Sequence, residues 1–357
     1  MHADLLKASE ILALSLPHLN AVAERTEETL LGFKSIISEK WERFAPSNPQ
    51  TDIRNVDLVL LGSLARQEMT EESDCDYLLI QNGCTPDISQ GLLSIADKTR
   101  RELNLTGPGQ QGGFGEIAIA ANLYERIGLE NDTNQNLTHR MLFLIESVSA
   151  FSSFTHEDVT NKILQRYCAD YLPPRRENGP AKVPRHLVND LVRFWRTMAV
   201  DFGAKRWRSM EEDLKLRLTK LRTTRKMLFA GPLCSLLLVP ERIRTAQELP
   251  DYLRLWLKKP PVAQLASIVS DETIAPKLSD HSKDALKQIL EAYDSLLGLF
   301  SERGTRNALR NLNSAAKWFK EKATQCDQIA QTIQTGLESI FFDDPVFRTP
   351  FRKYSVF

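Results

Sequence analysis

Two apolar runs stand out in the first third of the chain, Val56–Leu61 and residues 77–80, separated by a polar stretch. Short runs of this kind, bounded by polar and glycine-bearing turns, predict buried β-strands. A third run at 115–120 comes after a glycine-rich loop (106–115) and predicts another strand. Around them the spacing is helical. Leu30, Leu31, Phe33, Ile36, Ile37 and Trp41 form a stripe on a helix at 21–41, with Pro17 interrupting an earlier segment. Residues 47–55 read as a polar loop. Leu92, Leu93, Ile95 and Ala96 mark a helix at 88–103, and a short one starts at 123–127. From residue 138 onward nearly everything reads as helix: 140–151, 158–171, 187–204, 211–229, 285–301 and 313–340. Pro173, Pro174, Pro180 and Pro184 mark one break, and Pro260 with Pro261 another. The expectation is an α+β protein, with a small mixed sheet and then a mainly helical domain.

Composition narrows the class without choosing a function. The chain has 357 residues, enough for two domains with a substantial core. Lys plus Arg balance Asp plus Glu at 46 each, so no global charge favours nucleic acid or an anionic membrane. Five cysteines are scattered without zinc spacing, which points to a reducing, cytoplasmic setting. Asp4, Lys7 and Glu10 interrupt the N-terminal apolar residues, so no signal peptide is expected, and no run is long enough to span a bilayer. Oligomeric state is not legible.

The chemistry concentrates between the first two strands. Gly62-Ser63-Leu64-Ala65-Arg66-Gln67-Glu68 leaves the first, and Ser73-Asp74-Cys75-Asp76 opens the second. Side chains alternate along a strand, so Asp74 and Asp76 share a side. Two adjacent carboxylates repel unless a cation neutralises them, and Mg²⁺ (or Mn²⁺) takes carboxylates together with phosphate oxygens. Gly62 allows close backbone approach to a triphosphate. Ser63 offers a hydroxyl and an N–H at the start of a short helix, and Arg66 is placed to add a guanidinium.

This string resembles the catalytic signature of the polymerase-β-like nucleotidyltransferase superfamily. Its closest look is to the bacterial uridylyltransferases and adenylyltransferases that modify PII protein or glutamine synthetase. Arg66-Gln67-Glu68, Ser73-Asp74-Cys75-Asp76 and the stretch from Leu137 to Ser147 carry the likeness, which covers roughly 55–230 in outline. The resemblance implies a nucleotidyltransferase core at 51–150, after N-terminal helices at 1–50. A helical nucleotide-closing domain at 151–260 and a C-terminal helical bundle at 261–357 would come next. It implies an enzyme that moves a nucleoside monophosphate from an NTP to a hydroxyl acceptor. It also implies a third metal carboxylate on a later strand, for which Glu116 is the candidate and Asp132 the runner-up. The acceptor could be a protein side chain, an RNA end or a second nucleotide, with protein favoured. The rival reading is a regulatory protein that binds nucleotide, or a partner such as a toxin, without turnover. The phosphohydrolase motif of the uridylyltransferases is missing: His156-Glu157-Asp158 stands alone, so no reverse, de-modifying activity is expected.

Two later constellations carry charge. Asp190, Arg193 and Arg196 share one side of a helix, with Thr197 nearby. The resemblance implies a nucleotide contact for Arg193 and Lys205. The alternative is a salt bridge of Arg193 to Asp190. Lys215, Arg217, Lys220, Arg222, Arg225 and Lys226 come after Glu211, Glu212 and Asp213. They read as triphosphate or RNA-backbone ligands, or as a solvated basic face.

Overall fold

The computed structural model describes residues 1–45, 53–109, 113–172, 181–208, 214–310 and 317–356. In chain order the elements are α1 (Ala3–Ile11), α2 (Pro17–Phe44), β1 (Val56–Leu61), α3 (Gly62–Ala65), β2 (Tyr77–Gln81), α4 (Pro86–Glu102), β3 (Ile117–Ile119), α5 (Ala120–Tyr124), α6 (Asn134–Ile145), β4 (Ser147–Ser149) and α7 (Ser153–Cys168). The later elements are helices: α8 (Arg185–Arg208), α9 (Leu214–Arg222), α10 (Thr224–Leu237), α11 (Val239–Arg242), α12 (Leu249–Leu257), α13 (Pro261–Ala266), α14 (Asp280–Ser301), α15 (Thr305–Arg310), α16 (Lys317–Glu338) and α17 (Pro345–Phe351). The fold is α+β, a small mixed sheet with a large helical region.

Contacts group the chain into two compact units. One comprises Val22–Asp170 with Leu253–Lys258, and it holds the whole sheet. The other comprises Met1–Ala21, Tyr171–Tyr252 and Lys259–Phe357.

In the sheet-bearing unit the strand order is β3-β2-β1-β4. β1 runs antiparallel to both β2 and β4, and β2 runs parallel to β3. All six residues of β1 are buried, which is why it reads as a run and not an alternation. Val56, Leu58 and Leu60 join Tyr77 and Leu79 in a core with Phe33, Ile37 and Trp41 of α2 and Ile88, Leu92 and Ile95 of α4. Asp57 lies on the opposite side of β1. Its Oδ1 accepts from Ser149 Oγ (3.0 Å) and from the backbone N–H of Phe151 (3.2 Å) and Ser152 (2.7 Å). It thereby ties β1 to the start of α7. Burial pushes its carboxyl up to about 7, against the pull of those hydrogen bonds.

Several boundaries depart from the sequence pattern for identifiable reasons. The helix expected at 140–151 ends at Ile145, and β4 comes next, unforeseen. The Ser147 hydroxyl returns to the Phe143 carbonyl at 2.6 Å, and the Glu146 side chain is drawn into an ion pair. The helix expected at 123–127 is α5, which stops at Tyr124. The long helix expected at 211–229 is two, broken at Thr223, whose backbone is non-helical (φ −125°, ψ −93°). Glu211, Glu212 and Asp213, the prolines at 173, 174 and 180, and most of the loop expected at 47–55 lie outside the described residues.

Among the described residues, the regular elements of the other unit are all helices. α14 and α16 pack along each other, with Leu286, Ile289, Leu290, Leu297, Ala330 and Ile333 buried. No helix among the described residues is long and apolar enough to cross a membrane. All five cysteines are free.

Candidate functional site

The site is assembled where β1 ends and β2 begins. Leu61 N–H donates to the Asp76 carbonyl at 2.8 Å, which sets the turn after β1 beside the entry to β2. Cys75 is fully buried in the core shared with α2 and α4, so Asp74 and Asp76 on either side of it face the opposite way. Both are half-exposed. Burial, with the two neighbouring carboxylates adding to it, pushes the Cys75 thiol up to about 12, so it is inert.

Gly62 adopts φ +66°, a left-handed conformation that side chains resist. A Cβ there would stand 3.1 Å from Asp76 Oδ2. The turn and the carboxylate therefore face each other across a gap that only glycine leaves open. On its other side the Asp76 carboxylate accepts, through Oδ1, the N–H of Gly109 at 2.9 Å. The segment carrying Gly109 is anchored by the Cys75 N–H to Thr106 carbonyl bond (3.0 Å). Ser63, half-exposed, opens α3. That helix is a four-residue turn, too short to carry the dipole expected of a helix N-terminus, so Ser63 has only its hydroxyl and N–H to offer.

Arg66 differs most from expectation. Its Nε donates to Glu68 Oε2 at 2.7 Å, and its Nη1 donates to Glu146 Oε1. The side chains of Glu68 and Glu146 are 3% and 5% exposed and that of Arg66 13%. Two buried carboxylates thus engage the guanidinium, locking the turn after β1 onto the end of α6. The guanidinium expected to meet phosphate is engaged through Nε and Nη1 by these two carboxylates. Glu146 was not singled out from sequence. Its signal was available: an acid ending the apolar run 141–145 needs a buried partner.

The candidates for a third carboxylate separate. Glu116 is exposed and precedes β3, its carbonyl accepting the Leu79 N–H at 3.0 Å. Its carboxylate lies toward α6, where Gln135 Nε2 approaches Oε2 at 3.4 Å. Asp132 has both carboxylate oxygens engaged by a partner. Arg140, completely buried, donates Nη1 and Nη2 to its two oxygens (3.0 and 2.8 Å) and Nε to the Tyr167 hydroxyl (2.8 Å). Stripping that carboxylate from Arg140 would leave a buried cation unpaired. Among the described residues, no group of three or more His, Cys, Asp and Glu side chains is placed to hold a metal ion.

His156 is buried at the first turn of α7. Its Nε2 lies 2.8 Å from Ser147 Oγ and its ring packs on Phe143 at 4.7 Å. Burial, helped by Lys258 and Lys34, drives its pKa down to about 3, so the imidazole is neutral. It is a core residue of this unit.

The remaining candidates belong to the helical unit. Arg193 donates Nη1 to Asp190 at 3.0 Å, the salt bridge foreseen as its alternative. Lys205 lies on α8, but its side chain is outside the described residues. In the basic stretch, Lys215 and Arg222 both pair with Asp327, and Lys226 donates to Gln334.

No protein-family model matches the chain, and no curated protein matches it.

Proposed function

We propose that the protein is a divalent-metal-dependent nucleotidyltransferase that moves a nucleoside monophosphate from an NTP to a hydroxyl acceptor, releasing pyrophosphate. One observation carries the reading: the Asp76 carboxylate stands over the Gly62–Ser63 turn at the mouth of two buried strands. A phosphate-binding turn and a metal-binding carboxylate would need to meet in this way. The donor set also fits. Asp74 and Asp76 are half-exposed, oxygen-only, and on one side of an extended segment, which suits Mg²⁺ or Mn²⁺. A cation bound there supplies charge neutralisation at the phosphates and acidifies a hydroxyl.

The chain's own groups would do the rest. Ser63 would donate its hydroxyl to a phosphate oxygen, and Gly62 would let the backbone come close. The Gly109 N–H orients the Asp76 carboxylate through Oδ1. The acceptor oxygen forms a bond to the α-phosphorus, the bond to the β-bridging oxygen breaks, and one carboxylate helps take the acceptor proton. Arg66 holds the turn in place from behind, through Glu68 and Glu146. A protein side chain is the favoured acceptor by resemblance, ahead of an RNA end or a second nucleotide.

The test is incubation of the pure protein with each labelled NTP and Mg²⁺ or Mn²⁺, with pyrophosphate as readout. Wild-type turnover that vanishes in both Asp74→Ala and Asp76→Ala supports the reading. Turnover retained in either variant at saturating metal refutes it. A second reading, nucleotide binding without turnover, is favoured by the engagement of Arg66 with two carboxylates. It predicts NTP binding by calorimetry with no pyrophosphate.

A further inference from the structure

His139 lies on α6 with 6% of its surface exposed. Its Nε2 is buried and has no well-aligned hydrogen-bond partner among the described residues, but the ring interacts with the backbone of Gly113. A buried polar atom so nearly unsatisfied needs an account. Nε2 faces Gly113, which has φ +72°. A Cβ on Gly113 would sit 2.6 Å from His139 Nε2 and 3.3 Å from Glu116 Oε2. The imidazole, the Glu116 carboxylate and the chain at Gly113 therefore converge on one point, and only glycine is admitted there. Gln135, from the first turn of α6, closes on the same carboxylate at 3.4 Å.

Beyond Gly113 the chain leads directly to the site. Gly115 N–H donates to the Tyr77 carbonyl at 2.7 Å, and the Glu116 carbonyl accepts from Leu79 N–H at 3.0 Å. Tyr77 is the residue after Asp76. The turn held by His139 is thus bonded to the start of β2, one peptide from the carboxylate that faces Gly62. Burial holds the imidazole below the usual histidine range, against the opposing pull of Glu116 and of the Gly113 backbone.

We propose that His139 is a positioning residue of the Asp74–Asp76 site: packed against Gly113 and Glu116, it holds the turn that seats Gly115 on Tyr77 and so fixes the strand entry that carries Asp76. That this entry serves metal and nucleotide rests on the function proposed above.

The experiment uses the full chain labelled with ¹⁵N-glycine and reads amide hydrogen exchange together with Mn²⁺-induced broadening. His139→Ala is expected to speed exchange at Gly115 roughly tenfold, the loss of one hydrogen bond's protection, while glycines of the helical unit keep their wild-type rates. His139→Gln places an amide near the position of Nε2 and restores the protection. In the same His139→Ala sample, broadening of Gly62 and Gly109 requires several-fold more Mn²⁺ than in wild type, and His139→Gln restores that too. Should His139→Ala fail to fold, Gly113→Ala drives a Cβ into the imidazole and is expected to give the same local loss at Gly115. Unchanged Gly115 exchange, or acceleration of all glycines alike, overturns the proposal. Absence of Mn²⁺ broadening in wild type, with the Gly115 effect intact, overturns the metal reading and leaves the hold of His139 on the turn standing.

Discussion

Replacing Arg66 by Met removes a cation and keeps most of the stem's length and apolar packing. Glu68 and Glu146, 3% and 5% exposed, would then face each other without the guanidinium that joins them. Removing one partner of a buried ion pair costs about 3–5 kcal/mol, because the remaining charge stays desolvated. Arg66 is itself 13% exposed, so water reaches part of the triad and the lower end applies, about 3 kcal/mol. For a unit of this size that lowers the melting midpoint by roughly 6–12 °C. Urea unfolding monitored by tryptophan fluorescence reports it, since Trp41 is buried in the core of the same unit. The cycle closes with Glu146→Gln. The double variant should recover about 1 kcal/mol or more relative to Arg66→Met alone, because one of the two uncompensated charges is gone. A wild-type melting midpoint in Arg66→Met, accompanied by a loss of NTP affinity, would refute this reasoning. It would return Arg66 to the phosphate role that its position in the sequence suggested.

Two further predictions test the same unit. His156 titrates near 3 when folded and near 6.5 when unfolded. The unfolded chain therefore takes up the proton first, and stability falls as pH drops below 6.5. By pH 5 the loss is about 2 kcal/mol; His156→Gln should flatten this acid limb, and an identical limb in both proteins contradicts a buried neutral imidazole. Gly62→Ala must force φ +66° on a side chain whose Cβ meets Asp76 Oδ2 at 3.1 Å. A cost of about 1–3 kcal/mol is expected by chemical denaturation, together with weaker Mn²⁺ binding, and wild-type values of both would mean that the turn and the carboxylate do not face each other.

The strands of the sheet's centre were legible because both are buried on two faces and leave runs that no helix of that length would show. β4 was not legible. Ser147-Val148-Ser149 has three residues and comes after an apolar helix without punctuation, and what ends that helix is a side chain 80 positions away, Arg66 pairing with Glu146. The site divided along the same line. The placement of Asp74, Asp76, Gly62 and Ser63 about one turn was legible because it derives from strand alternation and turn chemistry, which are local. The partners of Arg66, Asp132 and His139 were not, because each is set by a tertiary contact that spacing does not encode. Arg193 shows the middle case: its salt bridge to Asp190 is a three-residue helical spacing, and it was foreseen as the alternative.

Two sets of acidic residues in the sheet-bearing unit differ physically, and the contrast bears on the site. Asp57, Glu68, Asp132 and Glu146 are buried, and each is matched by donors that the fold brings to it: three hydrogen bonds on one oxygen of Asp57, a two-pronged arginine on Asp132, a shared guanidinium between Glu68 and Glu146. The arginines neutralise Asp132, Glu68 and Glu146, whereas Asp57 has neutral donors on one oxygen only and burial raises its carboxyl to about 7; removing a partner from any of them should be felt as lost stability. Asp74 and Asp76 are half-exposed neighbours on one side of the chain. Asp76 accepts the Gly109 N–H, which orients the carboxylate. Two adjacent carboxylates held this way are destabilising to the extent that they repel, and a divalent cation relieves that repulsion. Opposite signs are therefore expected for the two groups. Neutralising Asp76 should cost little stability or raise it while removing metal binding, whereas neutralising Glu146 should cost stability and leave Asp74 and Asp76 able to bind the metal.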